Sequence, residues 1–152
     1  MGLNCSHGAF DGAYSAFNRF RQAVCHITGF EGSYGPHYEY SMKGEPLYTK
    51  DGQIAYRDGY DADTFYLPDH MTQETWPGLW EFLSHSDCDG EISPEMCTKV
   101  ADDLEKLVPR MKELGWNAGG HIERAGGFVS VLEKFITGCR MAAKHNEPLD
   151  FH

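Results

Sequence analysis

Leu79-Trp80-Glu81-Phe82-Leu83-Ser84-His85-Ser86-Asp87-Cys88-Asp89-Gly90-Glu91-Ile92-Ser93-Pro94-Glu95 decides how this chain folds. Leu79, Trp80, Phe82 and Leu83 make an amphipathic run, and beyond the acidic loop 85–95 a second run places Val100, Leu104, Leu107 and Val108 at helical spacing. The pattern is helix, carboxylate-rich loop, helix. Gly90 can take a positive φ at little cost, and Asp89-Gly90 is a turn signal. Ile92 can turn back into the core. Ser93 is a good N-cap and Pro94 fits the first helical position.

His85, Asp87, Asp89 and Glu91 are candidate ligands for a hard divalent cation, Ca²⁺ or Mg²⁺. The spacing resembles an EF-hand loop, D-x-[DN]-x-[DN]-G-x₅-E, with Gly90 as its glycine and Asp87 and Asp89 on the third and fifth ligand positions. It departs at two places. The first position is His85 and the twelfth is Met96, so the bidentate closing carboxylate is missing and Glu95 falls one residue early. A simpler reading needs no metal: Asp-Gly shapes the turn, and the solvated acids favour the N-terminus of the next helix.

Working outward, Thr75-Trp76-Pro77 starts the helix that carries Trp80. After Pro94 the apolar spacing runs on through Met111 and Leu114, but Pro109 must end or kink that helix. Asp102, Asp103, Glu105 and Lys106 read as its solvated face. A last helix, Phe128 to His145, buries Phe128, Val131, Leu132, Phe135, Cys139 and Ala142. Near the N-terminus a helix from Ala13 to Ile27 has the core stripe Ala13, Phe17, Phe20, Val24, Ile27. Beside it lies a polar row, Tyr14, Asn18, Arg21, Cys25, while Arg19, Gln22 and His26 read as outward. Planar donors, one fixed charge and a phenol in such a row suit an anion, or else boundary packing with Arg21 paired to an acid.

Residues 31–70 change character, being rich in Gly, Pro, Tyr and Asp. Leu47 to Tyr56 reads as a β-hairpin turning at Asp51-Gly52, and 64–67 as a further strand. Tyr34 to Tyr40, with Tyr38 at its centre, can stack a planar ring or form an oligomer surface. Residues 115–127 are a glycine-rich connector whose polar groups are His121 and Arg124. It lacks both the P-loop order and a preceding strand. Gly2–Ser6 reads as an edge strand and Gly8–Gly12 as a loop. In the tail, Leu149 and Phe151 share a face, with the N-terminal strand as the expected neighbour. The expected architecture is α+β: four to five helices packed with a small antiparallel sheet, formed by hairpin 47–56 and the terminal strands. It is one domain, 1–152, with a Tyr/Gly-rich insert at 31–70.

The net charge of −10 and pI of 5.1 argue against non-specific nucleic-acid binding and against an anionic membrane surface. No run approaches the ~18 apolar residues of a membrane span, and no signal peptide is visible, so a cytoplasmic protein is expected. Met1-Gly2 with Ser6 is a partial myristoylation pattern. Five irregularly spaced cysteines fit reduced thiols better than a disulfide framework. Cys25, Cys97 and Cys139 read as small core residues. Cys88, between two Asp, makes a poor thiolate. A zinc site from His7, His85, His152 and Cys88 would require the termini to fold together.

Three pieces, Gly12-Ala-Tyr-Ser-Ala-Phe-Asn-Arg-x-Arg21, His85-Ser-Asp-Cys-Asp-Gly-Glu-Ile92 and Glu147-Pro-Leu-Asp-Phe-His152, together resemble a group of small proteins encoded by bacteriophages, prophages and some bacteria. The likeness covers the N-terminal quarter and the C-terminal half. It supplies a setting and no mechanism: many small phage proteins counter host defences, and one route is to hold a nucleotide immune signal in the host cytoplasm.

Three functions compete. The first, preferred here, is a non-enzymatic small-molecule binder, with a nucleotide as the suggested ligand. Arg21, Arg124 or Arg140 would neutralise phosphate, Tyr14 or Tyr38 would stack a base, and Asn18 and His121 would add hydrogen bonds. The second is a hydrolase or lyase using a divalent metal held by His85, Asp87, Asp89 and Glu91. The third is a module that docks on a host or virion protein, or on a second copy of itself, through the aromatic stretch.

Overall fold

The computed structural model describes residues 2–28, 47–48, 54–55, 67, 70–114 and 126–152. At the N-terminus β1 (Leu3–Cys5) pairs antiparallel with β2 (Phe10–Gly12) in the register Leu3↔Gly12, Asn4↔Asp11, Cys5↔Phe10. A 3-10 turn at Ser6–Gly8 joins them, with His7 at φ 56°. Part of the expected loop 8–12 is therefore a strand. The signal was weak because Asp11 and Gly12 are poor strand formers, and of the three residues Phe10 alone is buried.

α1 (Tyr14–Ile27) follows directly. β3 (Leu47–Tyr48) pairs antiparallel with β4 (Ile54–Ala55), as the hairpin reading requires, in the register Leu47↔Ala55 and Tyr48↔Ile54. A two-residue turn at Asp51-Gly52 would instead set Tyr48 opposite Ala55. The observed register is shifted by one residue. The expected strand at 64–67 lies, except for Leu67, outside the described residues.

α2 (Pro77–Ser84) begins at its proline, as expected. Gly78 is required by packing: a Cβ there would meet the backbone of Lys99 and Val100 from the following helix. β5 (Glu91–Ile92) follows the acidic loop, and α3 (Pro94–Glu105) starts behind Ser93, whose Oγ accepts from the Met96 N–H at 3.2 Å. α3 stops at Glu105 and α4 (Val108–Leu114) begins two residues later. Pro109 thus falls in a first turn, where its missing N–H costs nothing. α5 (Phe128–Lys144) is the longest helix among the described residues, and β6 (Leu149–Asp150) closes the chain.

β6 has two neighbours. It pairs antiparallel with β5 through Glu91↔Asp150 and Ile92↔Leu149, while Cys5 bridges Phe151 and Asn4 exchanges both backbone bonds with His152. The N-terminal neighbour was expected; the loop strand β5 was not, because two residues carry no readable period. Leu149 and Phe151 share the buried face.

The fold is α+β, with five helices among the described residues packed against short antiparallel strand pairs. α3 packs on both α2 and α5. The core is aromatic: Phe20 lies 5.2 Å from Phe82, Phe82 lies 5.1 Å from Phe135, and Phe10 lies 5.0 Å from Phe17, all edge-to-face. Such pairs contribute about 0.5–1.5 kcal/mol each beyond area burial. One misreading follows from this packing. Asp103, expected on the solvated face, is buried, and its Oδ2 accepts the Leu79 N–H at 3.0 Å. α2 has no side-chain cap of its own at Trp76, so α3 supplies one across the interface. No helix among the described residues is long and apolar enough to cross a membrane.

Candidate functional site

The polar row of α1 is inside the protein. Tyr14, Asn18, Arg21 and Cys25 stand four, three and four residues apart, which keeps them on one side of a helix. Tyr14 is half-buried against the core, and Asn18, Arg21 and Cys25 are buried, with 9%, 6% and 2% exposure. α1 is therefore covered on more than its apolar face. Arg19, read as outward, is half-buried, and the side chains of Gln22 and His26 lie outside the described residues.

Arg21 is held in a built environment. Its guanidinium carbon sits 4.5 Å above the Phe17 ring and 5.9 Å from that of Phe82, and Nη2 donates to the carbonyl oxygen of His85 at 2.6 Å. The positive charge faces ring quadrupoles and a backbone dipole, both of which favour it. One turn earlier, the amide oxygen Oδ1 of Asn18 is fully buried and meets no hydrogen-bond donor among the described residues. A buried amide oxygen without a donor costs about 1–3 kcal/mol.

The acidic loop connects to this row through His85. His85 is the C-cap of α2, its N–H donating to the Glu81 carbonyl at 2.9 Å. Its imidazole turns into the loop: Nδ1 lies 2.8 Å from Ser86 O, Nε2 lies 3.2 Å from Glu91 O, and the ring lies 4.2 Å from that of Phe151. A neutral imidazole carries one N–H and donates to one of these carbonyls at a time. Gly90 takes φ 85°, as the turn reading requires. The Oγ of Ser86 accepts from the N–H groups of Cys88 and Asp89. Asp89 and Glu91 are exposed and Asp87 is half-exposed. The structure does not gather His85, Asp87, Asp89 and Glu91 around one point: among the described residues no three His, Cys, Asp or Glu side chains are placed to hold a metal ion. The imidazole fills the middle of the loop and lies within hydrogen-bond distance of the Glu91 carbonyl, an oxygen at the position where an EF-hand offers a backbone ligand.

Arg140 is engaged elsewhere. From α5 its Nη1 donates to Asp102 Oδ1 at 2.7 Å and its Nη2 to Glu105 Oε2 at 2.6 Å, bridging to α3. His7 of the imagined zinc site stands 3.5 Å from Glu147 Oε2 instead, beside the His145 ring. Tyr38, His121 and Arg124 lie outside the described residues. Tyr14, Asn18 and Arg21 are thus the part of the expected ligand set that shares one helix side.

Two features escaped the sequence reading. One is the burial of Asp103. The other is the placing of three thiols, Cys5, Cys97 and Cys139, close enough to influence one another. Burial pushes the Cys5 thiol up to about 12, with the Arg21 charge acting weakly in the opposite direction. Comparison of the chain with protein-family models, with curated proteins and with solved structures gives no match.

Proposed function

We propose that this protein binds a small molecule without transforming it, and that the ligand reaches the Tyr14–Asn18–Arg21 row of α1. The observation that carries this reading is the Asn18 amide oxygen, buried and without a donor among the described residues. A ligand N–H or O–H would meet that need. The fixed charge of Arg21, one turn further on, makes the neighbourhood favourable to an anion within a chain whose net charge is −10. Tyr14 contributes a phenol at the opposite end of the row. A nucleotide combines base donors with phosphate charge, so it is the ligand class we favour, in keeping with the phage-type setting that the three quoted pieces suggest.

Thermal shifts against a nucleotide panel test this, with each ligand recovered and weighed by mass spectrometry. At a concentration about 100-fold above Kd a binder should raise Tm by roughly 5–10 °C and come back intact. Recovery of a converted product would favour the hydrolase or lyase reading. An absence of any shift across the panel would remove the nucleotide and favour a protein partner.

A further inference from the structure

Two of the groups that hold Arg21 share a neighbour from the segment beyond α5. The Phe151 ring centroid lies 4.2 Å from that of His85, whose carbonyl accepts the Arg21 Nη2 bond. It also lies 6.0 Å from that of Phe17, the ring beneath the guanidinium. We propose that Phe151 is a positioning residue of the candidate ligand site, setting the Arg21 guanidinium through His85 and Phe17. The proposal rests on the reading that the α1 row takes the ligand.

Phe151 is itself fixed from several sides. Its N–H donates to the Gly90 carbonyl at 2.9 Å, and it bridges Cys5 of β1. On either side of it, Leu149 pairs with Ile92 and His152 exchanges both backbone bonds with Asn4. Side chains alternate along an extended segment, so Leu149 and Phe151 face inward while Asp150 faces out. Main-chain pairing with two other segments therefore places the Phe151 ring.

His85 gains from such a support. It caps α2 in an extended conformation, φ −67° and ψ 148°, and its carbonyl is met by Arg21 from α1. The two carbonyls near its imidazole, those of Ser86 and Glu91, belong to its own loop. The Phe151 contact joins it to a distant part of the chain instead. Against Phe17, the Phe151 ring packs edge to face at 74°, an orientation that aromatic pairs favour. A guanidinium carries its donors in one plane. Its tilt decides where those donors point for an incoming anion, and the Phe17 ring and the His85 carbonyl set that tilt.

The test uses the full chain with Phe151→Leu, which removes the ring and keeps an apolar side chain. Its first readout needs no ligand: the Arg21 Nε–H resonance in a ¹H–¹⁵N spectrum, which should move from its wild-type position. Leu149→Ala is the control. It strips a buried side chain from the same strand, one that lies opposite Ile92 and not His85, so Tm should fall while the Arg21 signal stays. The second readout is ATP affinity by calorimetry, which Phe151→Leu should weaken by roughly 2- to 30-fold and Leu149→Ala should leave unchanged. An Arg21 signal unmoved in Phe151→Leu, or moved equally by Leu149→Ala, would overturn the proposal. So would equal ATP affinity in wild type and Phe151→Leu. If the signal moves in Phe151→Leu alone and ATP binds neither protein, the positioning stands and the ligand reading loses this nucleotide. Should Phe151→Leu fail to fold, Phe151→Met removes the ring with less change in volume and is judged by the same outcomes.

Discussion

Nη2 of Arg21 donates to the main-chain oxygen of His85 at 2.6 Å, tying α1 to the first residue of the acidic loop. The guanidinium also rests on the Phe17 ring. Arg21 is therefore a structural residue whatever else it binds. Arg21→Ala should lower the unfolding free energy by about 2–4 kcal/mol, from a charged hydrogen bond and a cation–π contact together. Urea denaturation reads this, and a loss under ~0.5 kcal/mol would mean that the buried contacts contribute little.

Asp103 accepts the Leu79 N–H in the first turn of α2 and stands 3.7 Å from Lys106 Nζ. Asp103→Ala removes the only side-chain acceptor described at that helix start. It should cost about 2 kcal/mol, near the top of the range for lost caps because the site is buried. Asp102→Ala on the exposed face serves as the reference and should cost far less.

Arg140 bridges two carboxylates, yet its side chain is 39% exposed and theirs more so. Exposed pairs contribute little, so Arg140→Gln should cost below ~1 kcal/mol, with a smaller cost in high salt. Ligand binding should survive the change, since Arg140 is occupied by Asp102 and Glu105. A variant that keeps its stability but loses binding would return Arg140 to the ligand site.

The folded-state pKa of Cys5 stands at about 12, against 9.0 for a free thiol. The folded chain therefore holds that proton where the unfolded chain has released it. The associated stability is complete below pH 9 and is lost as pH rises toward 12, by at most ~1.4 kcal/mol per pH unit. Urea midpoints at pH 8, 9, 10 and 11 should fall, and Cys5→Ala should flatten part of that fall. Identical slopes for both proteins would show that the buried thiol does not titrate in this window.

The helices were legible because long apolar periods survive in the sequence. Pro77, Ser93-Pro94 and Pro109 marked their boundaries well, and Gly90 took the positive φ that the Asp-Gly turn implied. The short strands were harder. β5 is two residues long, and its partner arrives from the far end of the chain, so no local pattern could announce it. Asp103 looked solvated because an acid among acids reads as surface; its burial depends on where Gly78 lets α2 approach. The metal-ligand reading took His85 as a donor to a cation. Side-chain direction, which spacing does not encode, turned its ring toward the loop's own carbonyl groups instead. The polar row of α1 was legible as a row, but its depth was not.

Asn18 offers a sharp separation of binding from stability. Asn18→Leu keeps similar volume and removes the buried oxygen. Without ligand it should raise Tm by about 2–4 °C, since an unmet polar group is gone. It should also abolish any nucleotide-induced shift. A drop in Tm would identify Asn18 as a residue the fold itself needs.

The most direct measurement is the side-chain amide resonance of Asn18 in a ¹⁵N-resolved NMR spectrum, titrated with the nucleotide that gives the largest thermal shift. A ligand seated on the α1 row must move this signal in a saturable way, together with the backbone amides of Tyr14 and Arg21. Saturable changes confined to the acidic loop or to α4, with the Asn18 amide unmoved, would contradict the account.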